Sequence, residues 1–378
     1  MSQILAGGIE PRVLVTSRQG SYGKKTVEPI TDIQDRYRLV APSTREKLLR
    51  RFRRFYVDTG HMERAIEQMV VEHGADLIHV HWSAGIGQSA ANVSAKLGLP
   101  LVAEVRFDLA GALMSETIRI PIPGLERPLR HHFEGHLKQA SAVIAAGDSL
   151  AAFIRSEYPS LSDRLYAVPN GVNSELFRPG PPNPELRAKL GLEGQFVIGT
   201  TSNMLRYEGL DVLIRALAKL QRTTPSIHAL FVGAGTQAEN LQKLAQRLGV
   251  SATFTGLVPG AEVPRYLRLI DLYVIPRRDV TITRHAGPIK LVEAMACGRA
   301  VVGSRLGDIA QLLSEGRGAV VEPESVQALT TMLATLYKEN KTRQEMGRRA
   351  HLYAKSQLNW ANAAEIHRKV YERVLNGT

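Results

Sequence analysis

The 378-residue sequence holds a single cysteine, Cys297. That excludes an intrachain disulfide framework and fits a reducing compartment. Met295, Ala296 and Gly298 flank the thiol, a setting for a packed side chain rather than a nucleophile. No apolar run approaches the roughly 20 residues of a membrane-spanning helix, and no signal-peptide core follows the first residues. A cytoplasmic protein is expected. Zinc-finger spacing, a basic tail and the aromatic signature of single-strand binders are all missing, so nucleic acid is not an expected partner. Gly233-x-Gly235 lacks the third glycine of a dinucleotide fingerprint, so it is only weak evidence for a nicotinamide cofactor.

Acidic residues are also in short supply: 36 Asp and Glu stand against 48 Lys and Arg, a net charge of +12. Such a balance favours anionic partners, either phosphorylated substrates or acidic membrane surfaces. Residues 45–56 read REKLLRRFRRFY. On a helix, Lys47, Arg50, Arg51 and Arg54 would share one face, beside Leu48, Phe52 and Phe55. The pattern suits peripheral contact with an acidic inner membrane face. It suits equally the solvated face of a domain helix.

The length predicts two domains. Apolar strands are expected at 12–16, 76–82, 100–105, 141–146 and 165–168, with helices at 61–73, 85–98 and 128–140 between them. Gly20 and Gly23 follow the first strand, but no amphipathic helix comes after this loop. Strands alternating with helices at this spacing argue for a parallel, doubly wound α/β sheet. Ligands of such sheets bind beyond the C-terminal strand ends. That rim carries His81, Trp82, Arg106, Asp108 and Asp148. A proline-rich stretch marks a linker at 173–184, dividing a domain at 1–172 from a second at 185–356. The second half repeats the alternation, with strands at 196–200, 228–232, 252–255 and 272–275 and helices including 238–248 and 261–270. The last helix, 357–378, is amphipathic and expected to pack back on the first domain.

Residues 284–303 concentrate the chemistry. Pro288 suits a first helical position and Gly298 a stop, before a buried strand from Ala300. The helix start offers backbone N–H groups to an anion. Lys290 in its first turn is unfavourable against the helix dipole unless an anion is present. Glu293 lies at i+3 from Lys290 on the same face, so a surface ion pair is the plain alternative to an anion site.

Three segments together resemble the retaining glycosyltransferases of family 4: residues 168–173 with Phe177 and Pro179, residues 207–214 (YEGLDVLI), and residues 287–296 (GPIKLVEAMA). Thr255 to Val258, Pro276-Arg277-Arg278 and Trp360 extend the resemblance along the chain. It implies the GT-B fold, two Rossmann-like domains facing across a cleft that holds the sugar. The donor would be a nucleotide-sugar, UDP-linked by expectation, with no metal and no other cofactor. The acceptor class stays open among glycans, lipid-linked glycans and secondary metabolites. By the resemblance Glu293 holds the donor ribose, while Gly287 to Leu291, including Ile289 and Lys290, faces the diphosphate with Arg278. Backbone at Leu257 and Val258 reads the base. Asn203, Arg206 and Glu208 border the donor, His285 and Arg106 are candidate contacts near the reacting sugar, and His81, Trp82 and Asp108 lie on the acceptor side.

The departures from the family pattern are specific. His285 stands where the first glutamate of a Glu-x7-Glu pair is usual, and Asn203 and Glu208 stand where a basic pair is usual. A subgroup with Tyr-Glu-Gly-Leu-Asp and Pro-x-Lys shares several of these changes. Arg206, Arg277, Arg278 and Arg284 are candidates to restore the lost positive charge. Arg106 replaces a frequent histidine, and by the resemblance a first strand and glycine loop are expected ahead of residues 12–16, so either the true start lies upstream or this loop is lacking. Two other readings remain: a catalytically degenerate GT-B protein acting as a binding or scaffolding partner, and a sugar-nucleotide epimerase of the same fold.

Overall fold

The computed structural model describes residues 13–16, 37–40, 59–83, 85–112 and 126–377. The basic stretch 45–56 and the glycine loop 19–23 lie outside the described residues. Contacts divide the chain into two compact units, Met1–Val168 with Ala364–Thr378, and Pro169–Ala363.

In the first unit, β1 (Val13–Thr16) and β2 (Tyr37–Val40) form a parallel pair. A separate sheet follows with β3 (Ile78–His81), β4 (Leu101–Val105), β5 (Ala142–Ala145) and β6 (Leu165–Ala167), parallel throughout and in chain order. Every residue of β4 and β5 is buried. That is why these strands read as continuous apolar runs rather than alternating ones, since both faces of a parallel sheet are covered. Helices Thr59–His73 and Ile86–Leu97 pack beside each other, tied at the surface by Asn92 Nδ2 to Glu63 Oε1 at 2.6 Å and Lys96 to Glu67 at 2.9 Å. The long helix expected at 128–140 runs over Glu126–Leu137, and helix Asp148–Glu157, with no clear sequence signal, follows β5.

The second unit holds β7 (Phe196–Thr201), β8 (Ile227–Val232), β9 (Ala252–Phe254), β10 (Leu272–Ile275), β11 (Ala300–Ser304) and β12 (Ala319–Val321). They form one parallel sheet in the order β12-β11-β10-β7-β8-β9. The chain therefore builds outward from β7 to β9, returns, and builds outward from β10 in the opposite direction. The reversal falls between β7 and β10, the switch point where open α/β sheets leave a crevice. One face is packed by Leu213, Leu217, Phe231, Val274, Val302 and Leu333. The other is packed by Tyr273, Leu291, Met295, Cys297, Val301 and Ala350. Burial pushes the Cys297 thiol up to about 12, so it stays protonated as a packing group.

Two boundaries differ from the sequence expectation for local reasons. Residues 261–270 form a turn at Gly260–Glu262 and then a short helix, Val263–Leu267, because Pro264 is accommodated only in a first turn. Pro288 sits just ahead of helix Ile289–Ala296, with φ −78° and ψ 122°. Extended backbone there ends the preceding loop before the first helical residue.

Candidate active site

The loops after β7 and β10 are pressed together at the switch point. Gly209, with φ 65°, begins helix Leu210–Leu220, and a Cβ there would fall 1.9 Å from the carbonyl oxygen of Pro276. Only glycine allows both the left-handed backbone and this approach. The amide of Arg278 donates to the carbonyl of Tyr207 at 2.9 Å, joining the loops. A Cβ on Gly235 would lie 1.7 Å from the Asn203 carbonyl oxygen. The Gly233-x-Gly235 pair thus serves loop-to-loop packing.

Charge collects beneath these loops. Glu208 is buried, with Oε2 at 2.7 Å from Lys290 Nζ and Oε1 at 3.3 Å from Arg277 Nη2. Arg277 Nη1 also donates to the Ala286 carbonyl at 3.0 Å, and Lys290 Nζ reaches Ser202 Oγ at 3.5 Å. The anion that Lys290 requires at a helix start is therefore Glu208, from a separate loop, rather than Glu293 on its own helix. Burial would raise the Glu208 carboxyl, but the charges of Lys290 and Arg277 outweigh it and hold it below the ordinary range. Burial lowers the Lys290 ammonium, opposed in part by Glu208. Glu293, partly exposed one turn along, is raised by burial, with Lys290 opposing.

The other expected donor residues fall at different depths. No side chain caps the start of helix Ile289–Ala296, so its first turn offers backbone donors. Asn170 Nδ2 donates to the Gly287 carbonyl at 3.1 Å, fixing the turn before the helix. Ile289 is exposed and Leu291 fully buried, so Leu291 is core. Asn203 and Arg206 are exposed at the loop after β7, and Leu257 is exposed after β9, with Val258 half-buried. Arg278 is held by Asp211 at 2.6 Å and by Glu324. Its charge is matched by two carboxylates, and Arg277 instead stands with Lys290. His285 closes the short helix Thr281–Arg284, half-buried.

In the first unit, a second cluster forms at the ends of β3 and β4. Glu104 is buried and accepts from Arg106 Nη1 at 2.5 Å, with His81 Nδ1 at 3.3 Å, His79 Nε2 at 3.4 Å and His367 Nε2 at 3.3 Å around it. His79 Nδ1 lies 2.5 Å from the Tyr371 hydroxyl. Burial would raise the Glu104 carboxyl, but the surrounding imidazoles of His367, His79 and His81 hold it far below the usual carboxylate range. His79, His81 and Glu104 bring metal-type ligand atoms within 4.8 Å of one another, while Arg106 already matches the carboxylate charge. Of the acceptor-side residues, His81 is exposed. Trp82 is core, and Asp108 is buried against Arg130, with Nη2 to Oδ2 at 3.1 Å.

A glycosyltransferase family 4 model matches residues 3–176, and a glycosyl transferases group 1 model matches residues 182–352. The chain belongs to the family 4 glycosyltransferases. It is 32% identical over 224 residues to the GDP-mannose-dependent alpha-(1-6)-phosphatidylinositol monomannoside mannosyltransferase of Mycolicibacterium smegmatis, covering 56% of this chain and 58% of that protein. It is 29% identical over 318 residues to a D-inositol 3-phosphate glycosyltransferase of Arthrobacter, covering 80% and 72%. Among solved structures, sucrose-phosphate synthase from Thermosynechococcus elongatus aligns with TM-score 0.75 at 18% identity, over 100% of this chain and 92% of that one. HepE of Anabaena, solved with UDP and glucose, aligns with TM-score 0.71 at 20% identity, over 96% and 99%. These structural likenesses establish the GT-B fold.

For this family 4 glycosyltransferase, sequence reasoning did not reach Ser202, Asn170 and the role of Arg277 beside Glu208. The adjacent Arg277 and Arg278 look alike in sequence, and only the fold directs one inward and the other to Asp211. Glu104, His79, His367 and Tyr371 were also missed. Alternation along β3 hinted at His79 beside His81, but the partners on the last helix are far away in sequence.

Proposed function

We propose that the protein transfers a sugar, with retained anomeric configuration, from a nucleoside diphosphate sugar to an acceptor hydroxyl, with UDP as the carrier. The observation that carries this reading is the placement of Lys290 and Arg277 around the start of helix Ile289–Ala296, at the β7/β10 switch point. Preorganised cations and backbone N–H groups there stabilise the charge that develops on a departing diphosphate. Glu293 holds the ribose hydroxyls, its two oxygens accepting from both, and backbone near Leu257 and Val258 meets the base. His285 and Arg106 are candidate sugar or phosphate contacts, and no residue is assigned as a nucleophile. The names of the relatives support GDP-sugars as the second donor to try, and inositol phosphates as first acceptors. We also place the protein in the cytoplasm, with residues 45–56 meeting an acidic membrane surface.

The test is calorimetric binding of UDP-, GDP- and ADP-sugars, followed by release of nucleoside diphosphate with acceptor present. Glu293→Ala is expected to weaken donor binding roughly tenfold to a hundredfold, the loss of hydrogen bonds to one charged group. Unchanged affinity in that variant overturns the ribose assignment. The substitution of Asn203 and Glu208 for basic residues supports a second reading, a non-catalytic binding partner. Donor binding without turnover on any acceptor would favour it, and sugar epimerisation without acceptor would favour the epimerase.

A further inference from the structure

Glu208 carries a negative charge at a site meant to receive an anion, which calls for a physical reason. Both its oxygens are engaged: Oε2 by Lys290 at 2.7 Å and Oε1 by Arg277 at 3.3 Å. With two cations around one carboxylate, the cluster keeps one net positive charge. The three side chains come from three segments, the loop after β7, the loop after β10 and the helix start, and Glu208 bonds both cations. Arg277 is further oriented by the Ala286 carbonyl at 3.0 Å. Lys290 has no such backbone tether; its ammonium carries three donors, and Glu208 and Ser202 Oγ, at 3.5 Å, take two directions.

Without Glu208, Lys290 would face the positive end of its helix and the Arg277 guanidinium, in a buried position. A flexible lysine so placed either swings outward or loses its proton.

We propose that Glu208 is a positioning residue for donor recognition. It holds the Lys290 ammonium beside Arg277 at the start of helix Ile289–Ala296, so that a nucleoside diphosphate meets an oriented cation, and does not itself touch the donor. The proposal rests on the donor-site reading above. The charged and polar groups facing Lys290 are Glu208, Arg277, Glu293 and Ser202. Glu208 opposes the burial that lowers the ammonium, so its removal moves Lys290 deprotonation to lower pH.

The experiment measures UDP and GDP affinity by calorimetry from about pH 7 to about pH 10, for the full chain and for Glu208→Gln, Glu208→Asp, Lys290→Met and the Glu208→Gln/Lys290→Met double variant. Glu208→Gln is expected to bind roughly tenfold more weakly and to lose affinity at lower pH than wild type. Glu208→Asp, which keeps the charge, is expected to restore the wild-type alkaline limb, and it carries the test if the glutamine variant does not fold. In the Lys290→Met background, Glu208→Gln should change affinity by less than about twofold, since the two act through one interaction. Wild-type affinity and an unmoved alkaline limb in Glu208→Gln would overturn the proposal, as would the same penalty in both backgrounds. If wild type binds neither nucleotide, the donor-site reading itself falls and takes the proposal with it. If wild type binds but Glu208→Gln binds equally, only the positioning role falls.

Discussion

At Glu104, three imidazoles and one guanidinium converge on a single buried carboxylate. Its folded-state value lies well below the ordinary 4.5. A depressed carboxylate contributes stability above its unfolded value and gives it up as the pH falls through the lower range. His79, lowered by burial from 6.5, acts in the same direction, because the unfolded chain takes up its proton first. Acidification should therefore destabilise the first unit. Glu104→Gln is expected to lower unfolding free energy at about pH 7 by about 1–3 kcal/mol, the cost of weakening a charged hydrogen-bond acceptor. The gap to wild type should persist down to about pH 4.5, the ordinary carboxyl value, and narrow below it as the unfolded chain takes up the proton. Urea titrations at about pH 7 and about pH 3 would measure it. An unchanged gap would argue against ionised Glu104 as the source. Residues such as Lys290 and Glu293 were legible in sequence because their spacing on one short helix is local. Glu208 as the partner of Lys290 was not, since the pairing depends on two loops meeting.

At the scale of elements, Gly209 joins the loop after β7 to helix Leu210–Leu220 in a conformation suited to glycine. Gly209→Ala would combine a left-handed backbone penalty with a Cβ 1.9 Å from the Pro276 carbonyl oxygen. Because that neighbour is backbone, relief requires the β7 and β10 loops to part. The expected outcome is a loss of about 1–3 kcal/mol together with weaker nucleotide binding, read by thermal unfolding with and without UDP. A variant as stable as wild type would refute the steric argument. Strands such as β4, β5, β10 and β11 were readable as apolar runs because they are buried on both faces, whereas β2 and β12 gave no such signal. Helices such as Val326–Lys338 and Asn340–Gln357 have no catalytic motif to announce them. The helix expected at 261–270 is shorter than its pattern because Pro264 confines it.

For the molecule as a whole, net charge of +12 is the broadest property, and it bears on the membrane proposal. Among the described residues, no helix is long and apolar enough to cross a membrane. With that charge, binding to vesicles rich in acidic lipid should be electrostatic, weakening as salt is raised from about 0.05 M to about 0.5 M. Charge reversal at Arg50, Arg51 and Arg54 should weaken it further, at roughly 1 kcal/mol per residue. Co-sedimentation would measure both, and salt-insensitive or absent binding would end the proposal. The apolar runs and their spacing pointed to α/β sheets, and the segments at 168–173, 207–214 and 287–296 together carried the resemblance to the family, because each depends on neighbours a few residues apart. Which strand borders which, where the order reverses, and which of two adjacent arginines meets Glu208 were decided only by the folded sheet. Those relations join segments roughly 70 to 80 residues apart, and local periodicity carries no information across that distance.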